Sequence, residues 1–271
     1  MNCHPAFIVF TDLDGTLLDH DDYSWAPARD ALARLRDHAI PLIAVSSKTL
    51  AELCALNDRD SLFDGLIGEN GGVIALGNIV MQPGSATATI DQARNAISQA
   101  LDIPVAGFRT STPQQIATAT GLDLTNATLA GQRHCSDPLI WQPSEYHIQT
   151  ASDIARQHGL QLVRGGRFHT LCGTADKALA MQIVLTHLKD KGRMTANDGP
   201  VTVIALGDSP NDASMLRAAD IAVQIPPKRG VPPILDLGGK PALLAPHPGP
   251  HGWNHMIHHI LDHQISDITA R

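Results

Sequence analysis

FTDLDGTLLD, Phe10–Asp19, ends an apolar run (Phe7-Ile8-Val9-Phe10) with two carboxylates one residue apart, then turns through Gly15-Thr16. A short apolar run bounded by turn residues reads as a buried strand. Two anions so close repel each other. The fold must therefore place a cation between them or a proton on one of them.

The same pattern recurs along the chain. IPLIAVSS (40–47) and VTVIALGD (201–208) are further apolar runs that end on polar residues. Between them, PARDALARLRDH (27–38) and KTLAELCAL (48–56) carry helical periodicity. GLIGEN (65–70) reads as a strand and GGVIALGNIVM (71–81) as a hairpin, while SMLRAAD and IAVQI continue the strand–helix rhythm after 208. This alternation predicts an α/β fold with a Rossmann-like parallel sheet and crossover helices.

After Pro83-Gly84 the pattern changes. A polar helix, a strand near 105–108, two short helical stretches, the strand PLIWQ, another helix and the hairpin LQLV-RGG-RFHTL predict a small α+β unit. A helix expected to begin at Ala175 then returns the chain to the sheet. The predicted organisation is a core of residues 1–83 and 173–271, interrupted by an inserted domain of residues 84–172.

With 271 residues, 43% hydrophobic and 17% charged, the chain is long and apolar enough for a substantial core. A net charge of −7 argues against nucleic-acid binding but leaves room for an anionic small substrate in a locally basic pocket. Cys3, Cys54, Cys135 and Cys172 form no CxxC pair, so neither a disulfide framework nor a zinc site is expected. No secretory signal or membrane-length apolar run is evident, and a cytoplasmic location is expected. His255, His258, His259 and His263 share part of a predicted helix surface without a completing carboxylate or cysteine, and are expected to be solvated. Oligomeric state is not legible.

In parallel sheets, ligands gather at the carboxyl ends of strands. Polar signals fall at or near such ends: Asp12 and Asp14, Ser46, Lys177, and Asp208 with Asn211 and Asp212 in GDSPND. Singly, each has an ordinary reading. DxDG alone suits a calcium loop, but the later acidic positions are missing. Ser46 alone is a helix N-cap, Lys177 a solvated lysine and GDSPND a turn. Their joint appearance, each placed by an apolar strand or a helix, points to one site.

TDLDGT, Ser46, Lys177 and GDSPND together resemble the four motifs of the haloacid dehalogenase-like superfamily of phosphatases and phosphomutases. Within it, VSSKTLAEL, IGENGGVI, GGRFHTL, LGDSPNDASML and GPHGW are most similar to the mannosyl-3-phosphoglycerate phosphatase family. The resemblance covers nearly the whole chain.

It implies Asp12 as nucleophile, forming an aspartyl-phosphate, and Asp14 as general acid and then base. Asp12 must be ionised and Asp14 must begin protonated. It also implies a Mg²⁺ ion held by the Asp12 carboxylate, the Asp14 backbone carbonyl and Asp208, with Asn211 and Asp212 just outside. Ser46 would donate to the phosphoryl oxygens, and Lys177 would supply positive charge.

The insert resembles the superfamily's cap, where specificity should lie. A phosphorylated glycosyl-glycerate carries a carboxylate that Arg133 or Arg167 could grip. Asp137 could accept sugar hydroxyls beside Arg133, and His169 and Thr170 accompany Arg167. Ser47, Lys48 and Asn70 belong to the core rim. Arg109 and Arg164 are expected to be solvated. This chain has Ser136-Asp137-Pro138 where Ser-Glu-Pro is expected from the family. A glucosyl substrate, another sugar phosphate, a sugar phosphomutase and a receiver-like phospho-Asp module are the alternatives.

Overall fold

A computed structural model of the chain describes residues 7–165, 167–191 and 201–269. The elements run β1 (Phe7–Thr11), α1 (Arg29–Asp37), β2 (Leu42–Val45), α2 (Leu50–Asp60), β3 (Gly65–Gly68), β4 (Val73–Leu76), β5 (Ile79–Met81) and α3 (Thr87–Leu101). Next come β6 (Ala106–Gly107), α4 (Pro113–Thr120), α5 (Leu124–Gly131), β7 (Ser136–Ile140), α6 (Glu145–Gln157), β8 (Gln161–Arg164) and β9 (His169–Cys172). The chain ends with α7 (Lys177–Asp190), β10 (Thr202–Gly207), α8 (Ala213–Ala218), β11 (Ile221–Gln224), β12 (Leu243–Leu244) and α9 (Gly249–Thr269).

Two compact units result. One comprises Met1–Ser46, Leu62–Gly65 and Lys177–Arg271, and the other Ser47–Ser61 and Leu66–Asp176. Residues 84–172 lie inside the second unit, which also holds α2, β4 and β5.

In the first unit, strands lie in the order β12-β11-β10-β1-β2, and each adjacent pair is parallel. Every residue of β1 and β2 is buried, so their sequences show apolar runs rather than alternation. The crossover helices α1 and α7 bury one face each: Ala31, Leu32 and Leu35 in α1, and Ala180, Met181, Val184 and Leu188 in α7. From β1 the chain builds outward to β2 on one side, and from β10 to β11 and β12 on the other. That reversal makes the carboxyl ends of β1 and β10 the switch point where an open α/β sheet binds ligands.

The second unit contains Leu66–Gly68 of β3 in an antiparallel meander with β4 and β5, and a four-stranded antiparallel sheet, β6-β7-β9-β8. Leu139 of β7 and Leu171 of β9 pack with Ile90, Ala93 and Ile97 of α3 and Ala151 and Ala155 of α6. The helices α3 and α6 therefore cover one face of this sheet.

Two expectations shift. The helix expected from Ala175 begins at Lys177, which puts that lysine at its first position. His255, His259 and His263 are exposed on α9, but His258 is half-buried, with Nδ1 3.1 Å from Arg34 Nη1. Arginine only donates, so that ring nitrogen is the acceptor. Among the described residues, no helix is long and apolar enough to cross a membrane.

Candidate active site

The ladder between β1 and β10 continues one step past the strand, where Asp12 N donates to Leu206 O at 2.9 Å. Thr11 Oγ1 donates to Asp12 O (2.7 Å) and accepts from the fully buried Trp253 Nε1 (3.0 Å). The GPHGW stretch at the start of α9 thus pins the backbone of Asp12. Beyond it the chain folds tightly: Leu18 N and Thr16 N donate to Leu13 O, and Gly15 N donates to Leu18 O. Gly15 has φ +81°, and a Cβ there would lie 2.8 Å from Asp208 Oδ2. Both the backbone conformation and the approach of Asp208 require glycine.

Lys177 is 1% exposed. Its Nζ donates to Asp12 Oδ1 at 2.8 Å, Asp212 Oδ1 at 2.6 Å and Val45 O at 3.3 Å. Asp212 Oδ2 accepts from Asp208 N, Ser209 N and Ser209 Oγ at 3.0–3.1 Å, so this buried carboxylate shapes the whole β10 turn. Asn211 is exposed and accepts from Ser209 Oγ. Ser46 is buried one residue beyond β2. Oxygens of Asp12, Asp208 and Asp212 lie within 4.8 Å of one another. The motifs read from sequence therefore converge at the switch point.

Burial pushes the Asp12 carboxyl well above the usual carboxylate range, and the Asp212 charge adds to this; Lys177 opposes both. Burial, followed by the Asp212 charge, raises Asp208 to about 6. For Lys177, burial alone would lower the pKa, but Asp12 and Asp212 reverse this and hold the ammonium above its ordinary range. Three carboxylates against one ammonium leave two negative charges uncompensated, the charge of one divalent cation. The donor set is all oxygen, which suits a hard ion. The residues fit a divalent metal.

This charge imbalance sets a pH dependence. An unfolded aspartate titrates near about 3.9. Between that value and about 6, folded Asp208 keeps a proton that the unfolded chain has released, so metal-free stability falls as pH rises through the window. Raised Asp12 acts in the same direction. Saturating Mg²⁺ is expected to raise the melting temperature by roughly 5 °C at pH 7.5 and far less at pH 5, where protons must first be displaced. Scanning calorimetry at both pH values checks this, and equal shifts at the two would contradict it.

A cavity of about 420 Å³ is lined by Gly15 and Asp208 together with His20, Lys228 and Arg229. Lys228 Nζ bridges Asp19 and Asp21 at 2.7 and 2.8 Å, tying down the loop after β1.

In the second unit, strand parity sorts the expected specificity residues. Side chains directly opposite each other across an antiparallel pair share a face. Asp137 stands opposite Leu171, and His169 opposite Leu139, so both lie on the helix-covered face. Asp137 is accordingly fully buried, accepting from Arg94 Nη1 (2.8 Å) and Arg109 N (3.0 Å). A Cβ on Gly107 would collide with it at 1.9 Å. Asp137, expected to accept sugar hydroxyls, is thus enclosed by Arg94 and the Arg109 backbone. Burial raises its carboxyl above the ordinary value, against those hydrogen bonds.

Arg109, expected to be solvated, donates to Arg133 O and pairs with Asp91. Arg164 is exposed, as expected. His169 packs edge-on against Trp141, and burial lowers its pKa.

Ser136 and Thr170 fall on the opposite face. Ser136 Oγ donates to Glu69 Oε2 at 2.6 Å, and Arg133 Nη1 donates to Ser136 Oγ at 2.8 Å. The Arg133 Nη atoms also reach Ser47 O at 3.3–3.4 Å. Glu69 N donates to Lys48 O at 2.8 Å, and Asn70 next to it has φ 56°. Arg133 is thus brought to the Ser47 carbonyl, while Lys48 is joined through its carbonyl to Glu69, the residue before Asn70. Arg167 is exposed; it donates to Thr120 O at 2.7 Å and lies over Phe168. Sequence reasoning missed Glu69 and Ser136. The signal available for Ser136 was the alternation of SDPLI around Leu139.

Residues 9–106 match the family model of haloacid dehalogenase-like hydrolases. A glucosyl-3-phosphoglycerate/mannosyl-3-phosphoglycerate phosphatase of Persephonella marina is 34% identical over 269 residues, covering 94% of this chain and 97% of that protein. A phosphatase of the same description from Methanococcoides burtonii is also 34% identical, covering 92% and 95%. The fold is similar to that of a haloacid dehalogenase-like hydrolase from Bacteroides thetaiotaomicron, with a TM-score of 0.68, 18% identity and coverage of 94% of this chain and 99% of that one.

Proposed function

The chain belongs to the haloacid dehalogenase-like hydrolases and is a phosphatase; on that premise we propose that it dephosphorylates 2-O-mannosyl-3-phosphoglycerate through a phosphorylated Asp12, with Mg²⁺ as cofactor. The convergence of Asp12, Asp208, Asp212 and Lys177 at the switch point carries the chemical part of this reading. The names of the two relatives support the substrate class.

Asp12 attacks phosphorus as the bond to the glycerate oxygen breaks, and Asp14 delivers a proton to that oxygen. Water then attacks the aspartyl-phosphate while Asp14 takes its proton, which releases phosphate and restores Asp12. Lys177 holds Asp12 Oδ1 at a fixed point and keeps its carboxylate available in a buried setting. Ser46 donates to the phosphoryl oxygens as charge shifts onto them. Asp12, the Asp14 carbonyl and Asp208 would hold Mg²⁺, which supplies charge neutralisation between carboxylate and phosphate. Asp212, bonded to Lys177 and to the β10 turn, orients both. Arg133, with Ser47, Lys48 and Asn70 nearby, would receive the glycerate carboxylate. Arg167 and Thr170 remain proposed substrate contacts.

The glucosyl compound is the second reading, favoured by the relatives' double description. A panel of glycosyl-3-phosphoglycerates, hexose phosphates and p-nitrophenyl phosphate, with and without Mg²⁺, tests the proposal. Metal-dependent phosphate release with at least a tenfold preference for a glycosyl-phosphoglycerate is expected. Hexose phosphate isomerised without stoichiometric phosphate release would identify a mutase instead.

A further inference from the structure

Glu69 has no assigned role, yet its side chain is fully buried and its backbone occupies the left-handed region at φ 51°. A non-glycine residue there carries a conformational cost that the surrounding contacts must offset. The side-chain hydrogen bonds all lead to one segment. Glu69 Oε1 accepts from His134 N at 2.7 Å, and Oε2 accepts from Cys135 N at 3.1 Å and Ser136 Oγ at 2.6 Å. Two backbone N–H bonds and a hydroxyl thus fix both oxygens of this buried carboxylate in place.

The hydroxyl connects Glu69 to Arg133. Ser136 has one proton, which it gives to Glu69, so its lone pairs face Arg133 Nη1 at 2.8 Å. As an acceptor at 2.6 Å, the Glu69 carboxylate polarises that hydroxyl and strengthens its hold on the guanidinium. Arg133 Nη1 and Nη2 also reach the carbonyl of Ser47, the residue following Ser46 in the chain. Arg133 Nε is buried without a hydrogen-bond partner among the described residues. A buried guanidinium N–H lacking an acceptor is costly, and an anionic acceptor would offset that cost.

We propose that Glu69 and Ser136 are positioning residues that aim the Arg133 guanidinium at the carboxylate of the substrate. The inference rests on the glycosyl-phosphoglycerate reading above. Holding Arg133 in advance removes rotamer entropy that substrate binding would otherwise have to supply. The relay therefore acts on KM for substrates that carry a carboxylate.

Steady-state kinetics of Ser136→Ala, Glu69→Gln, Arg133→Ala and Ser136→Ala/Arg133→Ala, on a glycosyl-3-phosphoglycerate and on p-nitrophenyl phosphate, test it. Ser136→Ala leaves both backbone bonds to Glu69 in place, so it separates the relay from the loop anchor; thermal unfolding verifies that each variant folds. Ser136→Ala is expected to lower the ratio of the two kcat/KM values about tenfold, through KM, as one charge-assisted hydrogen bond is lost. In the Arg133→Ala background the same change is expected to have no further effect on that ratio. An unchanged ratio in Ser136→Ala beside a lowered one in Arg133→Ala would overturn the relay alone. An unchanged ratio in Arg133→Ala would also overturn it, since Arg133 then reads no carboxylate. A wild type indifferent to the glycosyl-phosphoglycerate would overturn the underlying substrate reading.

Discussion

Asp12→Asn is expected to reduce multiple-turnover phosphate release by roughly 10⁴–10⁶-fold on every phosphomonoester, the scale of losing a covalent nucleophile. The amide keeps the shape of the carboxylate but cannot attack phosphorus. The fold should survive the change. Ionised Asp12 is disfavoured in its buried position by desolvation and by Asp212, and Lys177 keeps Asp212 Oδ1 as an anionic partner at 2.6 Å. A melting temperature near that of the wild type is therefore expected alongside the lost activity. Retained turnover would remove Asp12 from the reaction.

Lys177→Met should damage stability and activity together. The ammonium separates two buried carboxylates, Asp12 at 2.8 Å and Asp212 at 2.6 Å, and its methionine replacement leaves them facing each other. Removing one partner from a buried ion cluster costs about 3–5 kcal/mol, mainly from the charges left uncompensated. The sign with pH follows from the carboxylates. Lys177 opposes the upward shift of Asp12, so without the lysine Asp12 moves further toward the protonated form and folding holds a proton that the unfolded chain has lost. The deficit relative to wild type should thus be larger at pH 8 than at pH 5. Turnover should fall about 10³-fold, as the transferring phosphoryl loses a fixed positive charge. Urea unfolding at both pH values checks the stability part, and a deficit independent of pH would contradict it.

Much of this site is legible in the sequence because burial and charge conflict there. Apolar strands that end on carboxylates, as at Phe10-Thr11-Asp12 and Leu206-Gly207-Asp208, mark the ends of a parallel sheet directly. GDSPND reads as a turn and is one; its Asp212 accepts the N–H groups that build it. The second unit is harder to read, since its residues are sorted by which face of a strand they occupy. Asp137 and His169 fall on the face that carries Leu139 and Leu171, while Ser136 and Thr170 fall on the other. A one-residue change in register would exchange the two sets, and proximity to Arg133 in sequence says nothing about it. Glu69 was hidden for a different reason. Its partners at 134–136 lie more than 60 residues away, and no local pattern points to them. Trp253 likewise belongs to a legible stretch, GPHGW, but its bond to Thr11 joins the two ends of the chain.

The central claim is that Asp12 carries the phosphoryl group during turnover. Acid quenching of Asp14→Asn, which removes the carboxylate proposed to activate water, followed by mass analysis of the peptide containing residue 12, tests it most directly. One phosphoryl group on Asp12, appearing with substrate and absent from Asp12→Asn, is the expected result. An unmodified Asp12 in that variant, quenched while it still releases phosphate, would contradict the account.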